Sequence, residues 1–306
     1  MTATKDRTLL AAGLISIYAF IIGFTDNYVR VIADEAGLWQ FHLTRSAMTA
    51  VLLGLGAVVL GWRIRPQNWR AVIGRSAIHG SAMVIYFGAL AFLDVALVAA
   101  GLFTAPIWVL LISRFAYGHA IGPVRIVAVG LGFVGVILVL GPEAMGGASL
   151  AAVLPIVAGA LYAMGNIATR EWCGEETAQT LVAGFFGALG IIGAVGVVFL
   201  WAFPLEVPAG ADGFLQRGAV WPSGNFYFWT LVQAAGSLVG VGFMIRAYQL
   251  TDAGRASVLE YIILPASAFW TWVIWGKGLE PMAVVGMVLI VAAGTMIALR
   301  ARVRES

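Results

Sequence analysis

The segment AGRASVLEYIILPASAFWTWVIW, Ala253–Trp275, decides how the rest of the chain is read. A helix needs about 20 apolar residues to cross the roughly 30 Å hydrocarbon core of a bilayer. This segment has that length, yet it holds a carboxylate, Glu260, and a helix breaker, Pro265, in its interior. An ionised side chain at bilayer depth costs ~2.5–3.5 kcal/mol even on the lenient insertion scale. Proline removes the donor to the carbonyl four residues earlier, here Tyr261, and bends the helix. Both features persist in membranes where neighbouring helices or a water-filled cavity receive the freed groups. VLEYIILP (Val258–Pro265) therefore predicts a span that walls a polar interior. No Lys or Arg stands three or four residues from Glu260, so an ion-pair partner has to come from another helix; Arg45 and His79 lie at suitable depth.

Working outward, nine more apolar runs bring the spans to ten: 8–29, 38–62, 70–92, 95–115, 124–141, 148–170, 178–203, 225–250, 253–275 and 281–300. Hydrophobic residues make up 61% of the 306 and charged residues 11%, against about 25% charged in a soluble domain, so an integral membrane protein is expected. The first run, from Thr8 to Gly23, is too long for a cleaved leader and lacks a small-residue cleavage site. The connections are short except 204–224, with Pro204, Pro208 and Pro222.

Loop charge sets an orientation. With the N-terminus in the cytoplasm, fourteen of the Lys and Arg residues fall on the cytoplasmic side, including Lys5, Arg7, Arg63, Arg65, Arg114, Arg125, Arg300, Arg302 and Arg304. Only Arg30, Arg217 and Lys277 fall on the other. Both termini are expected in the cytoplasm, with the chain in the inner (plasma) membrane.

ALAFLDVALVAAGLFTAP (Ala89–Pro106) and AYQLTDAGRASVLEYIILP (Ala247–Pro265) each place Asp five residues after Ala, Asp94 and Asp252, and a proline 12 or 13 residues later. TDNYVR and MGNIATR put Asn27 and Asn166 near the end of the first helix of each half. Spans 1–5 and 6–10 thus read as two copies of one unit, residues 1–147 and 148–306. Five is odd, so the second copy enters the membrane inverted. Inverted repeats mark secondary transporters, with the substrate site near the midplane between the halves. The fold class expected is an all-α integral membrane protein, ten transmembrane helices in two inverted five-helix repeats around a central cavity.

Polar residues recur at helical spacing along several spans. His42, Arg45, Ser46 and Thr49 share a face of span 2, and Arg75, His79 and Tyr86 one of span 3. Thr230, Gln233 and Ser237 align on span 8, and Ser257, Glu260, Tyr261 and Leu264 on span 9. Each charge also has a structural reading. Arg75 is near enough to the cytoplasmic end to snorkel to the headgroups, Arg45 either snorkels or pairs, and Asp26 with Arg30, four apart, reads as an interfacial ion pair. His79 suits a structural hydrogen bond as well as a cavity wall. Trp229 and Trp275 lie at helix ends where aromatic belts form, and Trp108 lies deeper.

Other function classes find little support. GLGFVG (Gly130–Gly135) matches the dinucleotide fingerprint but lies mid-span with no preceding strand, so helix packing is the better reading, as for Gly184, Gly187, Gly190, Gly193 and Gly196. The lone Cys173 excludes an intramolecular disulfide or a cysteine-rich metal site. No cofactor or metal is expected, and the basic residues do not form a stripe for nucleic acid. An intramembrane enzyme would need paired catalytic groups; the only adjacent acids, Asp34-Glu35 and Glu175-Glu176, lie in loops.

RAYQLTDAGRASVLEYIILPASAFWTWVIWG (Arg246–Gly276) followed by VVGMVLIVAAG, with Gly286, Leu289, Ile290 and Gly294, resembles the drug/metabolite transporter superfamily, EamA type. The resemblance spans essentially the whole chain and is most specific in the second half. Where the family commonly has Gly-Glu after the span 9 tryptophan, this chain has Gly276-Lys277. The resemblance implies a central cavity lined by spans 1–4 and 6–9, with spans 5 and 10 set apart. Within the superfamily it points to the YddG-type exporters of aromatic and other neutral amino acids, and to Glu260, Tyr261, His79 and the segment around Pro106 as cavity residues.

The expectation is therefore a secondary transporter that exports a small, near-neutral, amphipathic solute by alternating access. The expected cavity residues are Glu260, Tyr261, His79, Arg45, Tyr86 and Trp108, with Pro106 and Pro265 preserving the kinks. Transport of amines, drugs or nucleotide sugars and a passive channel are the alternatives. The expected partners are a small-molecule substrate and the lipid bilayer; oligomeric state is not legible in the sequence.

Overall fold

The computed structural model describes residues 7–89, 93, 95–141, 150–278 and 280–305. Lys5, Asp94 of the first repeat motif and the connection 142–149 lie outside the described residues. The elements are α1 (Thr8–Asp26), α2 (Val29–Glu35), α3 (Leu38–Leu60), α4 (Trp69–Ala89), α5 (Val95–Leu102), α6 (Ala105–Phe115), α7 (Pro123–Leu140), α8 (Val153–Glu171), α9 (Ala178–Ala202), α10 (Gly224–Leu250), α11 (Ala253–Leu259), α12 (Ile263–Trp275) and α13 (Pro281–Glu305). Among the described residues the chain is helical, with no strand. Nine segments among them are long and apolar enough to cross a membrane. The tenth predicted span, α4, falls outside that set because it carries Arg70, Arg75, Ser76 and His79.

The helices are apolar outward and polar inward. On α9, Ile191, Val195 and Val198 face out, each more than 60% exposed, while Gly193 lies against the backbone of Trp39 and Leu43 on α3. On α3, Val58 is 85% exposed, whereas His42, Arg45, Ser46 and Thr49 are all buried. This is the distribution of a bundle whose outer solvent is lipid, since burial in water would put the polar face outside.

Four helix pairs carry the bundle: α1 with α10, α3 with α9, α4 with α8, and α7 with α13. The last pair is the tightest locally. A Cβ at Gly135 would lie 2.6 Å from the Gly286 carbonyl oxygen, and one at Gly286 would lie 2.5 Å from that of Gly135. Both positions need glycine because the two backbones touch.

Two spans leave regular α-helical geometry part-way along while remaining continuous helical segments. Span 4 divides into α5 and α6 at a turn where the Thr104 hydroxyl donates to the Gly101 carbonyl at 2.6 Å. Span 9 divides into α11 and α12 around a 3-10 turn, Glu260–Ile262. Pro106 and Pro265 lie just past these irregular turns, where the regular hydrogen-bond ladder is already interrupted. The turns meet: Tyr261 donates its hydroxyl to the Phe103 carbonyl at 3.2 Å, satisfying an acceptor that span 4 leaves open.

At the end of the bundle opposite Arg7, α2 and the 204–224 connection form a cap around Ile32, Ala33, Leu38, Phe41, Phe214 and Phe226. Arg217 donates to the Ala33 carbonyl at 2.7 Å, the Leu38 N–H to Phe214 at 2.7 Å, and the Ser223 N–H to Glu35 at 2.9 Å. At the end bearing Arg7 the ties are ionic and backbone-directed. Arg125 pairs with Asp252 at 2.9 Å, Arg170 donates to the Thr251 carbonyl, and Glu176 accepts from the N–H groups of Gln67 and Asn68 at 2.8 and 2.7 Å.

Candidate substrate site

Asp252 caps α11 by accepting from the Gly254 N–H at 2.8 Å, which starts the helix two turns before its irregular turn and carries Glu260 into the interior. Glu260 is 8% exposed. The ion pairs among the described residues are Arg125–Asp252 and His119–Glu171, so neither Arg45 nor His79 pairs with it. Its partners are phenols. Tyr162 of α8 donates to Glu260 Oε1 at 3.4 Å, and Tyr248 of α10 is the second phenol bonded to the carboxylate. Tyr248 is oriented in turn by Asn166 Nδ2, 3.0 Å from its oxygen. Tyr18 of α1 bonds Tyr162 and completes the ring of hydroxyls.

The other predicted residues divide. His79 is buried edge-on between Tyr162 and Phe185, at centroid distances of 4.7 and 5.2 Å, with Nδ1 unpartnered. It thus touches the Glu260 cluster through Tyr162. Tyr86 is half-buried within electrostatic reach of Tyr18 and Asp26. Trp108 is half-buried against the core of the bundle. Tyr261 is turned away from Glu260 with no exposed surface, its hydroxyl committed to Phe103 and its ring against Gly132. A residue next in sequence points elsewhere because successive side chains on any helix are rotated by more than a quarter of a turn.

Three expectations about charge are corrected. Arg75 does not snorkel: it is wholly buried, with Nε donating to Thr169 at 3.0 Å and Nη1 to the Leu181 carbonyl at 3.2 Å. Arg45 neither snorkels nor meets a carboxylate; Nη1 donates to Gln233 Oε1 at 3.4 Å and the guanidinium lies 4.7 and 5.3 Å from the centroids of Phe41 and Phe186. Asp26 does not pair with Arg30. It accepts instead from Gln233 Nε2 at 3.0 Å. Trp229 is no simple belt residue either, since it stacks on Tyr28 at 3.4 Å between centroids.

Tyr18, Tyr162, Tyr248, Asn166 and Asp26 were not among the residues expected from sequence. A signal existed: Tyr162, Asn166 and Thr169 recur at i, i+4 and i+7 on α8, and the α10 stripe continues through Met244 to Tyr248. Tyrosine counts as apolar in composition, which hid a hydroxyl lining.

Residues 9–141 match the model of the EamA-like transporter family. Across nearly its whole length the chain is also similar to an uncharacterized transporter of Helicobacter pylori, 21% identical over 98% of both chains. A riboflavin transporter of Rhizobium johnstonii is 24% identical over 86% of this chain and 80% of its own. The pseudopaline exporter CntI of Pseudomonas aeruginosa is 23% identical over 93% and 95%. A protein solved by crystallography shares the fold with a TM-score of 0.75, at 17% identity over 95% of this chain and 98% of that one. The nine helices among the described residues that are long and apolar enough to cross a membrane are those of a multi-pass membrane protein.

Proposed function

We propose that this chain is a transporter of the drug/metabolite superfamily, a secondary exporter working by alternating access, and that its solute is small, amphipathic and amine-bearing, with aromatic and other neutral amino acids the first candidates. One observation carries the reading. Glu260 is a carboxylate in the bundle interior whose partners are phenols and not a cation, so its charge remains available to a solute's ammonium group or a proton. A carboxylate locked to arginine would have no such capacity.

The packing supports two inverted halves, 1–147 and 148–306. Number the spans in order and exchange the halves, so that 1 becomes 6 and 3 becomes 8. The pair α1–α10 (spans 1 and 8) then becomes α4–α8 (3 and 6), and α3–α10 (2 and 8) becomes α4–α9 (3 and 7). The pairs α3–α9 and α7–α13 map onto themselves. Such symmetry lets two equivalent rocking states exist around one site. The termini are assigned to the cytoplasm of the inner membrane on the loop-charge argument.

Counterflow tests the function. Liposomes bearing the purified protein are preloaded with an unlabelled amino acid, and uptake of labelled tracer is followed across a panel from aromatic to charged. Transient, saturable accumulation of neutral amino acids is expected. Its absence in vesicles holding folded protein overturns the amino acid reading. Because a riboflavin transporter is among the relatives, riboflavin belongs in the same panel, and counterflow of riboflavin alone selects that second reading.

A further inference from the structure

A second polar network lies in the interior, eight residues beyond Tyr18 along α1, or about 12 Å at 1.5 Å per residue. On the transporter reading above, we propose that Asp26 is a second solute site. It takes the ammonium group of an amine-bearing solute, with Gln233 and Arg45 behind it and the Tyr28–Trp229 stack as its cover.

Asp26 ends α1 and is exposed, so its carboxylate is open to a solute. Its Oδ1 accepts from Gln233 at 3.0 Å, while Oδ2 has no hydrogen bond among the described residues. The amide of Gln233 is held in one orientation, because its Oε1 accepts from Arg45 Nη1 and from the Ser237 hydroxyl, both at 3.4 Å. Arg45 itself is 6% exposed, its Nε is unpartnered, and His42 beside it has an unpartnered Nε2. A buried guanidinium thus stands one amide away from an accessible carboxylate. Direct contact would neutralise Asp26; the interposed Gln233 leaves its open face able to accept a cationic donor.

The cover suits the same ligand. Tyr28 is two residues past Asp26 and Trp229 is one turn before Gln233, and their rings stack 11° from parallel. Aromatic faces attract an ammonium group and pack against an organic tail. A metal ion is not favoured, since among the described residues no three His, Cys, Asp or Glu side chains converge. Tyr18 lies within electrostatic reach of both Asp26 and Glu260, so the two carboxylates border one interior. A solute's ammonium group could pass from one to the other as the halves rock.

The test is calorimetric titration of the purified protein with 2-phenylethylamine and, as the amine-free probe, 3-phenylpropionate. Asp26→Asn is expected to weaken binding of the amine by about 30-fold and to leave 3-phenylpropionate unchanged. Asp26→Glu, which keeps the charge, is expected to retain amine binding and serves if the asparagine variant does not fold. Amine affinity equal in Asp26→Asn and the parent, or no amine binding by the folded parent, overturns the site. If counterflow fails for every amino acid while Asp26-dependent amine binding persists, the site stands and the amino acid reading falls. If counterflow succeeds and is the same in Asp26→Asn, the site falls and that reading stands.

Discussion

Glu260 and Arg75 are both charged, both buried and both inside spans, yet the structure treats them differently. Arg75 makes two hydrogen bonds to α8 and α9 and sits in a closed socket, so its work is to hold helices together. Glu260 accepts from phenols, which are weaker partners than a guanidinium and leave its charge uncompensated. Replacing it with glutamine keeps the shape and removes the charge. Glu260→Gln is expected to fold as the parent does and to lower the counterflow rate about tenfold or more, the scale of one lost charge-assisted hydrogen bond. Counterflow equal to the parent at every pH would remove Glu260 from the mechanism. The polar stripe on span 9 was legible from spacing alone, but the stripe joined Glu260 to Tyr261, which the structure gives different partners, Tyr162 and Phe103.

At the scale of elements, the informative features are the irregular turns and the glycine contact. At the α5–α6 and α11–α12 turns, side chains satisfy backbone groups: Thr104 locally, Tyr261 across to Phe103. The prolines pointed to both irregular turns, each of which lies within a continuous helical segment. The α7–α13 contact is backbone on backbone at Gly135 and Gly286. A side chain there has nowhere to go, because the obstruction is a carbonyl and not a flexible tip. Gly286→Leu is expected to cost about 1–3 kcal/mol or more through overpacking, read as a lowered melting temperature in detergent. A variant melting with the parent would mean the two helices separate more easily than the contact implies. GLGFVG was legible as packing, and Gly132 and Gly135 do pack, while Gly130 has open space beside it.

At the scale of the whole molecule, the proposed orientation has a direct consequence for labelling. In a Cys173→Ser background, cysteine at exposed Ala209 is expected to react with a membrane-impermeant maleimide on intact cells. Cysteine at exposed Ala116, at the other end of the bundle, is expected to react only after permeabilisation. The reverse pattern would invert the topology. That the chain spans a membrane, and through how many apolar runs, was determined by the sequence alone. Partition into lipid is a sum over about 20 neighbouring residues, and that sum is local. The inward direction of the polar stripes on α3 and α10 was equally local, since 3.6-residue periodicity sets which positions share a face. Which groups meet inside was decided only by the tertiary structure. Glu260 found tyrosines instead of Arg45, and Asp26 found Gln233 instead of Arg30, because contacts between helices depend on axial rotation and depth. Those follow from packing of the whole bundle, to which distant residues such as Gly135 and Gly286 contribute as much as the polar groups themselves.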